Sequence, residues 1–261
     1  MTLTARNTVS IIGFIAALAF LIIFIFILVL LHFRFDLFSG DVYEVDIVGT
    51  VVVPLFLAVF SVGGWLFVRL SFQKTSSAEV FFFSFFLLSL SFETLKVIQL
   101  LFLLQSRPFL FNVLITRVVF FGRFFGLLCL FFSGMFSSWL QYQRIGLVLS
   151  ISLLVPVALA LVIPVSTDMG EDLLFTLGIR REMGMVFYAI EAFAVLNYII
   201  SGVVLNSREY FWMSGGILTI LIGREFLFQS DSLVLSLCGI GLVTAGSLLF
   251  GKKAHTVYLW R

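Results

Sequence analysis

Eight long apolar runs, at roughly 9–31, 47–68, 78–105, 109–138, 145–164, 184–206, 210–228 and 232–250, account for most of this chain. Each is close to the ~20 residues an α-helix needs to cross a hydrocarbon core about 30 Å thick. Strands fit poorly, because the runs show no sustained alternation and a lipid-exposed barrel strand needs only about 9–11 residues. Composition points to the same solvent. Of 261 residues, 61% are hydrophobic and 11% charged, whereas a soluble domain runs near 45–50% and roughly 25%. The expected fold is therefore all-α, a polytopic transmembrane helical bundle of about eight spans with short loops, organised as one transmembrane domain over 1–261. The first run exceeds a signal-peptide core and no polar cleavage region follows it, so it reads as an uncleaved first span.

Loop charge sets the expected orientation. With the N-terminus cytoplasmic, the inner segments carry Arg6, Arg69, Lys74, Arg144, Arg208, Lys252, Lys253 and Arg261, and the outer ones Arg34, Arg107, Arg180 and Arg181, a bias of eight to four. Basic residues favour the inside, so both termini are expected to be cytoplasmic, in a plasma (inner) membrane. The main competing topology has seven spans and a re-entrant segment within 210–250. Of the two longer connections, 32–46 is acidic and expected at the outer surface. The other, 165–183, sets Leu173, Leu174 and Leu177 on one helical face, which suits a short interfacial helix; an ordinary polar loop fits equally well. Tyr258 and Trp260 in the C-terminal tail could anchor it at headgroup depth.

Several chemistries lack their motifs. There is no HExxH, no CxxC, no phosphate-binding glycine loop and no His/Asp cluster, so neither metal nor cofactor is expected. Cys129 and Cys238 lie inside apolar runs and read as small buried hydrophobes. The 34 phenylalanines, with FFFSFF at 81–86, read as lipid-facing or bundle-filling, or as the lining of an apolar pocket. Gly122 with Gly126, and Gly241 with Ala245, have the spacing that lets helices approach closely. Pro156 and Pro164 fall in the fifth run, where lipid tolerates a kink.

Ionisable residues within the runs carry most information, because charge at mid-membrane is costly and faces the bundle interior. They are Glu93 and Lys96 in the third run, Arg117 and Arg123 in the fourth, Glu191 with the polar Asn197 in the sixth, and Arg224 and Glu225 in the seventh. Counting from the turn at Arg107, at about 1.5 Å per residue, sets Glu93 level with Arg123 as a buried ion pair, and Lys96 level with Arg117. The group balances at +4 against −3. It forms either a slightly basic pocket opening outward, built from Lys96, Arg117, Glu191, Asn197, Arg224 and Glu225, or a network that only locks the helices together. The first alternative leads to a ligand-binding, sensory or accessory bundle. A small-molecule or lipid transporter, or an intramembrane enzyme acting on a lipid headgroup, are the other classes, although spans 7–8 do not echo the charges of spans 3–4 and no nucleophile–base pair is visible. Without a soluble output domain, signalling would pass through a membrane or cytoplasmic protein partner. Membrane lipids are expected neighbours, nucleic acid is not, and the oligomeric state is open.

Overall fold

The computed structural model describes residues 3–35, 48–71, 77–138, 142–170, 173–229 and 232–259. Among these, eight segments are long and apolar enough to cross a membrane. The helices are α1 (Leu3–Phe35), α2 (Val53–Ser71, entered through a π-helical turn at Val48–Val52), α3 (Ala78–Leu90), α4 (Leu95–Leu104), α5 (Phe109–Ser138), α6 (Ile145–Val162), α7 (Arg180–Val204), α8 (Arg208–Gln229) and α9 (Leu233–Leu259). The third apolar run supplies both α3 and α4, which are joined by one 3-10 turn, Ser91–Thr94. His32 lies within α1 and His255 within α9. The 32–46 connection begins only after α1 ends at Phe35, and residues 36–47 and Trp260 lie outside the described residues.

α3 is the axis of the bundle. Every residue from Ala78 to Leu90 is buried, as expected of a helix that is apolar on all sides. The phenylalanines of FFFSFF therefore fill the interior: Phe82 stacks on Phe136 of α5, Phe83 meets Phe250 of α9 and Phe85 stands edge-on to Trp65 of α2. α5 comes close through its glycines. A Cβ on Gly126 would lie 1.9 Å from Ser89 Oγ, and one on Gly122 would lie 2.4 Å from Phe92 Cβ. Both glycines therefore serve packing within the chain.

The last two spans form a tight antiparallel pair, with two full-length helices where a re-entrant segment was the alternative. Gly216 faces Gly246 and Gly223 faces Gly239, each close enough that a Cβ would fall within 3.0 Å of the opposite carbonyl oxygen. The small residues expected to mediate packing, Gly241 and Ala245, instead lie on the exposed side of α9. A Cβ at Gly241 would meet nothing within 4 Å. Cys238 is also exposed, while Cys129 is buried.

Two further expectations are corrected. Pro164 does not kink the fifth span. The helix stops at Val162, and Ile163 is extended (φ −66°, ψ 127°), the conformation a following proline imposes; Pro156 alone lies inside α6. The connection after it is neither an interfacial helix nor a plain loop but an antiparallel hairpin, β1 (Val165–Met169) and β2 (Phe175–Leu177). Leu173 enters the left-handed region (φ 61°), and Gly170 donates to the Leu174 carbonyl at 2.8 Å. The helical face expected for Leu173, Leu174 and Leu177 is thereby divided. Leu174 packs with Leu95 and Val119, and Leu177 with Phe120 and Met183.

Candidate functional site

The charged residues gather because the third span changes helical type at their level. Ser89 donates to the Phe86 carbonyl and Thr94 to that of Ser91, at 2.6 and 2.7 Å, and Ser91 Oγ reaches Ser61 Oγ of α2 at 2.8 Å. Hydroxyls that bond the preceding turn compete with regular helical geometry. The tightened turn carries Glu93, only 2% exposed. Arg123 of α5 meets it with both arms of its fork, Nε to Oε1 at 2.6 Å and Nη2 to Oε2 at 3.0 Å. Lys96, one turn along, brings Nζ within 3.0 Å of the same carboxylate. One buried anion thus serves two cations from two helices. Such an arrangement offsets the desolvation that would make any of them costly alone.

A second charged group lies across the site. Arg224 of α8 contacts Glu191 of α7 at 3.2 Å and its neighbour Glu225 at 3.6 Å. Glu191 is therefore committed to Arg224 and not to the level of Lys96 and Arg117. Phe228 links the two groups: the Arg123 guanidinium stands 4.6 Å, and that of Arg224 5.1 Å, from the centre of its ring. Cations at these distances are attracted by the ring quadrupole.

Between these groups is a cavity of about 1050 Å³, at the top of the range usual for ligand sites. Its polar wall includes Lys96, Arg123, Arg181, Arg224, Glu225 and the hydroxyls of Thr50 and Thr116, and its apolar wall includes Phe120, Leu174, Phe187 and Phe228. All lie toward the hairpin end of the bundle, opposite the start of α1 and the end of α9. Four cations face the cavity against one carboxylate, and the buried Glu93 and half-buried Glu191 behind them bring the formal balance to +4 against −3.

The hairpin forms one wall and is fastened at depth. Gln99 Nε2 donates to the Leu173 carbonyl at 2.6 Å, Thr116 donates to Gln99 Oε1 at 3.4 Å, and the Phe175 N–H donates to Thr116 Oγ1 at 3.3 Å. Non-helical backbone is tolerated at membrane depth only when protein or a water-filled cavity satisfies it, and two side chains of α4 and α5 do so here.

Not every residue singled out from sequence reaches this cavity. Lys96, Arg224 and Glu225 line it, and Glu93 and Glu191 support it from behind. Arg117 lies outside, with its buried Nε lacking an acceptor. Asn197 belongs to a different part of the bundle, where its amide approaches the Phe131 carbonyl at 3.4 Å. Arg181, Gln99, Thr116 and Phe228 were not anticipated. Gln99 and Thr116 carried a signal, a polar residue inside an apolar run; Arg181 reads from sequence only as loop charge. Arg224 lines the cavity while only 4% exposed, and its Nε, like that of Arg117, is buried without an acceptor. No protein-family model, curated protein or solved structure matches the chain.

Proposed function

We propose that this protein is a ligand-binding membrane bundle of the sensory or accessory kind, with a cavity that accepts an oxyanion. The charge of the cavity wall carries the reading. Lys96, Arg123, Arg181 and Arg224 line it against the one carboxylate of Glu225, and an oxyanion would balance that excess. Arginine suits the role because its planar fork matches carboxylate and phosphate geometry. The loop charge bias supports a plasma-membrane protein with both termini cytoplasmic and the hairpin end outward, so the cavity would open to the outside. In that role the bundle would act together with a membrane or cytoplasmic protein.

A transporter is the second reading, favoured by one feature. The third span changes to a 3-10 turn where Glu93, Lys96 and Arg123 meet, and local departures from regular helix near the midplane accompany substrate sites in transporters. Against it, a second cavity, about 230 Å³ between α2, α3 and α9, is lined almost wholly by apolar side chains and would not conduct a polar solute. Native mass spectrometry of protein released from its own membrane tests the primary reading. The expected result is a retained anionic molecule in the wild type that is lost from Arg181→Ala. Equal retention by both, or none by the wild type, contradicts it.

A further inference from the structure

The cavity has a side facing the bundle surface at a depth where that surface is apolar. On α7, Arg181, Gly184, Met185 and Tyr188 recur at helical spacing and all line the cavity. The same stripe is surface: Met185 and Tyr188 are each 57% exposed. A Cβ at Gly184 would meet nothing within 4 Å, so no side chain closes the stripe at that point. On the facing helix, Arg224, Glu225 and Phe228 line the cavity, and Phe226 beside them is 38% exposed. The Glu191–Arg224 contact bridges the two helices at the lower limit of this gap. Tyr188 stands eight residues beyond the start of α7, about 12 Å along the helix. Because α7 is long and apolar enough to span a membrane, a gap at that depth would face acyl chains and not bulk water.

We propose, building on the oxyanion-binding reading above, that the ligand is a membrane lipid with an anionic headgroup, admitted sideways between the first turns of α7 and the last turns of α8. The wall is amphiphilic in the matching sense. Lys96, Arg123 and Arg224 offer charge-assisted donors to a phosphate or carboxylate, while Phe120 and Phe187 give an apolar surface for the first part of a chain. A free hydrophilic anion would gain nothing from that apolar surface or from the exposed Met185 and Tyr188 at the gap. The lipid inserts its headgroup and the first part of a chain, and keeps the rest of its chains in the bilayer.

The test uses the full chain in phosphatidylcholine nanodiscs containing a phosphatidic acid probe with a photoactivatable acyl chain. Crosslinks are expected on α7 and α8 around Met185, Tyr188 and Phe226, at least ten-fold weaker in Gly184→Trp and in Met185→Trp, and insensitive to millimolar glycerol phosphate. Gly184→Ala should label like the wild type. Labelling spread over other helices, or undiminished in both tryptophan variants when they fold, overturns the lateral route. If these variants do not fold, the wild-type crosslink map decides alone. If glycerol phosphate or inorganic phosphate binds in an Arg181-dependent way while the lipid probe does not label, the lipid proposal fails and the oxyanion cavity stands. If neither probe binds, both fail.

Discussion

Arg123 grips Glu93 with two parallel N–H···O contacts, at 2.6 and 3.0 Å, across the boundary between the third and fourth spans. Because Lys96 approaches the same carboxylate, Glu93 holds the group together. Glu93→Gln is expected to destabilise the protein by about 3–5 kcal/mol, the usual result of leaving buried charge uncompensated. Lys96→Met should cost less, since the Arg123–Glu93 fork remains. Replacing all three with apolar residues of similar size should recover much of the loss. Thermal unfolding of the purified variants in one detergent checks this ranking.

Removal of the Gln99 amide should loosen the hairpin selectively. Gln99→Leu deprives the Leu173 carbonyl of its donor and Thr116 of its acceptor, at a cost of about 1–3 kcal/mol for the stranded polar groups. Amide hydrogen exchange at Phe175 and Leu174 should accelerate, while exchange within α3 stays slow. Uniform acceleration across the bundle would mean that the clamp is part of the core and not a fastening for the hairpin.

The α8–α9 glycines make a contrasting pair of substitutions. Gly223→Leu places a side chain against the Gly239 carbonyl and the Val243 backbone, and should sharply reduce folded yield without changing oligomeric mass. Gly241→Leu, on open surface, should fold normally. Size-exclusion chromatography with light scattering distinguishes these outcomes from a dimer interface, in which Gly241→Leu would convert dimer to monomer at normal yield.

The reach of the sequence follows from these contacts. Counting from the turn at Arg107 sets Glu93 opposite Arg123 because helix rise is constant and the turn is short, and in the structure the two side chains meet. The same count set Lys96 level with Arg117, yet Lys96 stands three residues from Glu93 and meets its carboxylate, as i,i+3 neighbours on a helix do. The hairpin was hidden for another reason. Its strands are short, and side-chain partners hold it at separations of 74 and 59 residues, beyond any local pattern. Small-residue spacing proposed Gly241 with Ala245 but carries no direction. The signal that does is symmetry about the turn: Gly216 and Gly246 each lie 15 residues from position 231, and Gly223 and Gly239 each lie eight.

Orientation is tested with single cysteines in a background lacking Cys129 and Cys238. Cysteines at positions 41 and 170 should react with a membrane-impermeant thiol reagent in intact cells, and those at 74 and 255 should not. Labelling at 255 from outside would reverse the bundle and turn the cavity toward the cytoplasm.

The central claim is that the cavity between the Glu93 and Arg224 groups holds a ligand and does not merely separate two structural ion-pair networks. A cryo-electron microscopy map of protein extracted from its native membrane tests it most directly. Non-protein density is expected beside the Arg181 and Arg224 guanidinium groups that line the cavity, continuing past Phe120 and Phe187 toward the gap between α7 and α8. A cavity filled only by water would contradict it.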